Sequence, residues 1–443
     1  MSGLQAGFAR MDITPPLGTT LAGYFNVRHA DGVRDPLLAT AVAFDDGEKR
    51  AVVCSLDIIG FNQKLMDRVR AAVAENVQIE KEAVFICCTH THLGPCTANA
   101  KDVWENPEYI DFMTKRIADV AAYAMADVAP AKLLYTRGKA EGVAFVRRYR
   151  MKDGCVRTNP GWQNPEIQEA LGTPDENSSL LIIKREGKPE IGIVNFQVHP
   201  DVIGGCTISA DFPKFVRDTY EKMVDNSLCM YINGAQGDTN HIDVSLGEGE
   251  LRGGYGRSEY MGRKIAMSVL MNYPLAKELT GDKVTYGQKN ILVGFNKGKP
   301  EEMEEAVRIN DIYKKGGSKA VAEALGTTGM RTTELTAQAT RIISLMDMPD
   351  EKELYLTAVA VGDVVFAGFP GEPFTDVGRG IKANSRFTLT IPACCANGYE
   401  GYYPMKSAFS EGGYEALTAR YQEGTAEKLI EASTELVNGL YEQ

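Results

Sequence analysis

Two histidines one residue apart, in Thr89-His90-Thr91-His92, follow directly on the apolar run Val84-Phe85-Ile86-Cys87-Cys88. The chain has only five histidines in 443 residues, so a pair at the end of a strand-type run marks a candidate site. In an extended segment residues two apart share a side, which predicts that His90 and His92 face one space. Imidazoles so placed bind a metal or move a proton; the plainer alternative is a pair of buried, hydrogen-bonded histidines. A third, His199, follows the apolar run over 191–196 and stands in His199-Pro200-Asp201. A catalytic zinc commonly takes three protein ligands, histidine and carboxylate among them, and keeps one position open. Two histidines from separate strands plus one carboxylate meet that requirement, and the chain reads as a metal-dependent hydrolase.

Glu372 is a candidate carboxylate, held in a turn between prolines in Phe369-Pro370-Gly371-Glu372-Pro373-Phe374. Its alternative role is to charge the start of a helix over 377–383. Asp211 reads as the N-cap of a helix from Phe212, and Asp12 as a turn residue. Asn397-Gly398-Tyr399-Glu400-Gly401-Tyr402-Tyr403-Pro404 crowds three tyrosines together. Such phenols pack against a core, or one of them reaches a metal or an oxyanion. Arg147 and Arg148, in a strand-like stretch over 146–150, either clamp a carboxylate or polarised carbonyl or are surface charge. No G-x-S-x-G occurs, which disfavours Ser-His-Asp chemistry. Gly253-Gly254-Tyr255-Gly256 lacks the surroundings of a phosphate loop.

Apolar strand-type runs alternate with helical stretches, which predicts an α/β fold: a mixed β-sheet core with flanking helices and the metal site at the carboxyl ends of strands. Strands are expected over 51–56, 84–88, 179–183, 191–196, 228–232, 289–293, 354–361 and 364–369, the last two joined by a tight turn at Gly362-Asp363. Helices are expected over 63–75 and 107–125, the second opened by Pro107. The stretch 300–315 reads as a surface helix with Met303, Val307 and Ile312 buried, ended by Gly316-Gly317. Polar residues recur just past the strands: Asp57, His90 and His92, His199, then Asn233, Gln236 and Asp238, and finally Glu372. Ligands gather at such strand ends in open α/β sheets. A single domain over 1–443 is expected, with specificity carried by loops over 96–104, 148–165 and 247–257.

Composition narrows the partners. The net charge of −11 argues against nucleic acid or an anionic membrane, which need clustered Lys and Arg. No apolar run approaches 18 residues, so no transmembrane helix is expected, and no signal peptide is visible. Nine cysteines, an odd count without a CxxC, with Cys87-Cys88 and Cys394-Cys395 in apolar runs, fit reduced thiols in a cytoplasmic protein. A small-molecule substrate is the expected partner; oligomeric state, including a homo-oligomer, is left open.

These motifs together resemble the neutral/alkaline ceramidase family, zinc-dependent amidases that cleave the amide of N-acyl sphingosine in lipid metabolism. The matching order is Asp12-Ile13-Thr14-Pro15, Thr89-His90-Thr91-His92 with Gly94-Pro95, Asn195-Phe196-Gln197-Val198-His199-Pro200, Ile208-Ser209-Ala210-Asp211, Asn233-Gly234-Ala235-Gln236, Gly371-Glu372 and the tyrosine segment. The resemblance spans nearly the whole chain and is most specific at the two histidine motifs. It implies a Zn2+ ion bound by His90, His199 and Glu372 with Tyr402 as a further ligand, His92 beside the metal-activated water, and Arg147 and Tyr414 near the reacting carbonyl. Three departures argue against a long-chain ceramide substrate. No signal segment is visible, no C-terminal sandwich domain follows the tyrosine segment, and Gln236-Gly237-Asp238-Thr239-Asn240 lacks the family's serine.

The expected activity is therefore hydrolysis of an amide bond in a small or medium-sized metabolite. His92 would pass the proton to the leaving amine, and Tyr402 and Arg147 would stabilise the oxyanion. The alternatives are a zinc enzyme of the same scaffold acting on an ester or glycoside, or as a lyase, and a non-catalytic binding protein, since fold and ligands do not fix chemistry.

Overall fold

The computed structural model describes residues 3–97 and 106–443. Its largest element is a twisted mixed sheet. Across it the strands run Ser227–Asn233, Glu190–Phe196, Asn177–Arg185, Ala129–Lys139, Gln5–Asp12, Leu38–Asp45, Arg50–Leu56 and Val84–Cys88. The outermost pair on each side is parallel and the rest are antiparallel. A second sheet of four strands, Val284–Gly294, Glu351–Val361, Val364–Gly368 and Leu389–Ala393, packs on one face of the first. Phe44, Phe85, Ile193 and Ile232 from one sheet meet Val359, Phe366 and Ile391 from the other in a shared core.

Helices close the outer faces. Gln63–Val77 and Pro107–Ala126 cover one half of the long sheet, and Phe212–Met223 and Gly254–Leu270 the other. Thr375–Asn384 and Thr425–Tyr441 cover the outer face of the second sheet. The layers thus run helix, sheet, sheet, helix. This is the mixed α/β arrangement expected, except that the strands divide between two sheets.

The two ends of the long sheet approach each other at the site. Ser55 donates its hydroxyl to Tyr231 O at 2.6 Å, and Asn233 Nδ2 donates to Thr89 O at 3.0 Å. Val84–Cys88 is an edge strand, yet all five residues are buried. Asn397 explains this, because its backbone N–H donates to Ile86 O (2.8 Å) and its Oδ1 accepts from Ile86 N (2.9 Å). One residue thereby satisfies ladder groups that an edge leaves open.

Several expectations need correction. The break at Gly316-Gly317 is present, those two residues being non-helical, but a second helical stretch follows it and runs on to Leu325. The two stretches pair with Gly329–Leu345 as a hairpin whose buried residues include Ala306, Ile309 and Val321, while Val307 is exposed. The stretch 146–150 is not one strand but Phe145–Val146 and Arg148–Met151, broken at Arg147. In the first expected specificity loop, residues 98–104 lie outside the described residues. No helix among the described residues is long and apolar enough to cross a membrane.

Candidate metal centre

The histidine pair faces one space, but not by strand alternation. The strand ends at Cys88, and His90 takes a left-handed backbone, φ +75°. Such a conformation is strained for a non-glycine residue and persists where the surroundings enforce it. Here Thr89 N and His90 N donate to Leu56 O and Ile58 O. His90 Nδ1 lies 2.6 Å from Ile59 O, and a carbonyl only accepts, so Nδ1 carries the proton and Nε2 offers its lone pair. His92 N donates to Pro200 O, which ties the second histidine to the segment carrying His199.

Each of His90, His92 and His199 offers a ring nitrogen within 4.8 Å of the others, all three buried, a group able to bind a metal ion. Glu372 joins them: its Oε2 lies 3.4 Å from His90 Nε2 and 3.5 Å from His199 Nε2. Its Oε1 accepts from Tyr399 Oη at 2.7 Å. Gly371 makes the approach possible, because a Cβ there would lie 2.4 Å from Gly401 O. Glu372–Pro373 pairs with Tyr402–Tyr403.

These donors fit a metal. Glu372 Oε2, His199 Nδ1 and both ring nitrogens of His92 are buried with no hydrogen-bond partner among the described residues. A lone pair of His90 faces a carboxylate oxygen, an arrangement that repels unless a cation lies between. The 3.4 and 3.5 Å separations match the roughly 3.3 Å edge of a tetrahedron with bonds near 2.0 Å. Burial pushes the His92 imidazolium down to about 4. Burial, then Arg147, holds His199 well below the usual range, so both are neutral, the form that ligates. Against the upward push of burial, the Glu372 carboxyl is held well below the usual carboxylate range, the Arg147 guanidinium contributing.

The other candidates divide between the cavity and its frame. A cavity of about 540 Å³ opens over the centre and is lined by His92, His199, Arg147, Tyr402 and Tyr414 among others. Arg147 and Arg148 are buried, not surface charge. Arg147 Nε lies 2.6 Å from the fully buried Glu415 and Nη2 donates to Gly237 O, while Arg148 pairs with Glu411 at 3.0 Å. Arg147 Cζ lies 5.2 Å from the centre of the Tyr402 ring, and Tyr402 meets Tyr414 edge to face. Of the loops expected to set specificity, 148–165 supplies Thr158 and Asn159 to the cavity, and 247–257 supplies no described lining residue. The wall comes instead from Gly23 to Arg28 and from the helical hairpin, through Lys319, Met330 and Thr333.

Framing residues explain the remaining strand-end groups. Asp57 makes a two-pronged pair with Arg217, 3.0 and 2.7 Å, and accepts from Thr89 Oγ1. Asn233 Nδ2 bonds the carbonyls of both Thr89 and Val198, the residues preceding His90 and His199. Asp211 caps Phe212–Met223 as expected, with φ +58°, and its Oδ2 also accepts from Val202 N and Ile203 N. Asp12 makes the expected turn, accepting from Thr14 N. The capping role considered for Glu372 belongs to Asp238, whose Oδ1 accepts from Thr375 N and Oγ1.

Sequence reasoning missed the pairing of His241 Nδ1 with Asp201 Oδ1 at 3.4 Å. It also missed Tyr399, which both bonds Glu372 and stacks on His90 at 5.9 Å.

No family model and no curated protein matches the sequence. Solved structures do. The whole chain superposes on 75% of the neutral ceramidase from Pseudomonas aeruginosa, with a TM-score of 0.74 and 17% identity. It superposes likewise on 76% of a ceramidase complexed with C2, with a TM-score of 0.75 and 16% identity. From residue 3 to residue 443 the described chain is built on the fold of these ceramidases.

Proposed function

We propose that the protein is a zinc-dependent amidohydrolase that cleaves the N-acyl bond of a small, polar metabolite. The observation that carries this reading is the convergence of His90, His199 and Glu372, with Glu372 Oε2 unpartnered among the described residues, beside a cavity that His92 and His199 line. His90, His199 and Glu372 would hold the ion, with Tyr402 as a further ligand. An ion so held supplies Lewis acidity and lowers the pKa of a water in its open position.

The chain's own groups supply the rest. His92 has neither ring nitrogen hydrogen-bonded to a protein partner among the described residues. It takes a proton from the attacking water as the C–O bond forms and gives it to the amine nitrogen as the C–N bond breaks. Arg147 is fixed by Glu415 and Gly237 O, so its charge meets the developing oxyanion without reorganising. Tyr414 lies on the same wall and orients the carbonyl.

The cavity's size falls in the ~300–1,000 Å³ range of small-molecule sites. Phe25 and Met330 are the large apolar side chains among its described lining residues, and no Leu, Ile or Val is present there. That lining favours a hydrogen-bonding substrate over a long acyl chain. The test is a panel of short-chain N-acyl amides, esters and glycosides assayed with the zinc-loaded and chelated protein. Zinc-dependent turnover of amides above the other classes supports the proposal, and zinc-independent turnover or preferred turnover of esters or glycosides contradicts it.

A further inference from the structure

A second cavity, of about 450 Å³, shares no described lining residue with the one over the metal centre. It lies between the segment 295–299, the helical hairpin through Gln338 and Arg341, and the short helix Tyr414–Thr418 through Ala416 and Leu417. The proposed reaction uses none of these lining residues.

Arg341 is the group that calls for a ligand here. It is only 8% exposed, so a full positive charge is held almost out of water. Such a charge is costly unless an anion or a set of acceptors meets it, and arginine is rarely so buried without one. Elsewhere in the chain those partners are present. Arg147 meets Glu415 and Arg217 meets Asp57, while Arg70, without an acid, gives Nε and Nη2 to two carbonyls. Arg341 is provided for less well. Its Nη1 donates to Asn296 O, but Nε has no partner and the guanidinium makes no ion pair among the described residues.

The carboxylates of the lining are already engaged. Asp350 pairs with Lys297 at 2.8 Å. Glu302 accepts from Lys299 N at 2.7 Å and from Gln338 Nε2 at 3.4 Å. Burial pulls the Arg341 guanidinium below its usual pKa, and the Glu302 charge opposes this from a distance. Arg341 and the exposed ammonium of Lys299 are therefore left as cations without a contacting carboxylate among the described residues. Phe295, Phe409, Ala416 and Leu417 lay apolar surface beside them.

We propose that this second cavity binds an organic anion, a carboxylate or phosphate head group on an apolar body, with the head group on Arg341 and Lys299. A guanidinium takes either head group through charge-assisted hydrogen bonds, the strong class of such bonds. The volume falls within the ~300–1,000 Å³ range of small-molecule sites. Tyr414 lines the first cavity, and Ala416 and Leu417 of the same short helix line the second. An occupant here braces the helix that also walls the metal centre.

The experiment titrates benzoate, phenyl phosphate and the neutral isostere benzamide into the full-length protein by calorimetry, with metal content measured throughout. The expected result is that benzoate or phenyl phosphate binds at least tenfold more tightly than benzamide, the tighter anion identifying the head group. In Arg341→Gln that preference falls below twofold while metal content stays at the wild-type value, and in Lys299→Glu the anion's affinity drops at least threefold. A wild-type protein that binds neither anion, or binds benzamide equally well, overturns the site. An Arg341→Gln variant that keeps the wild-type affinity also overturns it, since the anion then sits elsewhere, the metal centre included. Should Arg341→Gln fail to fold, Lys299→Glu decides, and an unchanged affinity there rejects the proposal.

Discussion

His90 shows how much rests on a single backbone angle. At φ +75° its ring points where a strand would not send it, and the surrounding hydrogen bonds hold that angle. Asn233 is the side chain that fixes this corner, through Thr89 O and Val198 O. Asn233→Ala strands several buried groups, each worth about 1–3 kcal/mol when unsatisfied, and loosens two segments that carry donors. It should lower stability by about 3 kcal/mol in chemical denaturation and weaken zinc binding about 10–100-fold in competition titrations; an unchanged zinc affinity would show that the corner holds without it. Gly23 is a second test. A Cβ there would lie 2.5 Å from His92 Cγ, at φ +99°, so Gly23→Ala should displace His92 and lower kcat while zinc content stays near one per chain. Lost zinc with retained kcat would reverse the assignment of His92.

Elements carry the frame, and their legibility varies for physical reasons. The strands over 84–88 and 191–196 are readable because both faces are buried and the runs are apolar save for Asn195. Leu38–Asp45 is passed over because three alanines lower its β character, although six of its eight residues are buried. The Gly316-Gly317 break is legible from its glycines, and both residues are non-helical, whereas the second helical stretch that follows to Leu325 is not marked by a capping side chain. Glu372 is legible from its prolines, whereas the capping task is done by Asp238 from a distant loop. Asp201 and His241 lie forty positions apart, and no local pattern links them. At this scale the Asp57–Arg217 pair joins Arg50–Leu56 to Phe212–Met223 beneath the site. Arg217→Ala leaves a buried carboxylate without its cation, and stability should fall by about 3–5 kcal/mol. A thermal melt unchanged from wild type would mean that Asp57 finds another partner.

At the level of the whole molecule, the donors sit where the two ends of the long sheet meet the second sheet. His90 and His92 come from one end, His199 from the other, and Glu372 from the chain leaving Val364–Gly368. A ligand that binds only this assembled arrangement stabilises it by mass action, by about 4 kcal/mol at a thousandfold excess over Kd. Adding zinc to chelator-treated protein should therefore raise Tm by several degrees, and the same addition to His199→Ala should not. A zinc shift of equal size in both proteins would place the ion elsewhere.

The most direct test of the account is a calorimetric zinc titration of the wild-type protein beside His90→Ala, His199→Ala and Glu372→Gln. The account predicts one tight site per chain in the wild type and at least a hundredfold loss of affinity in each variant. A wild-type protein without a tight site, or three variants that bind zinc as the wild type does, would contradict it.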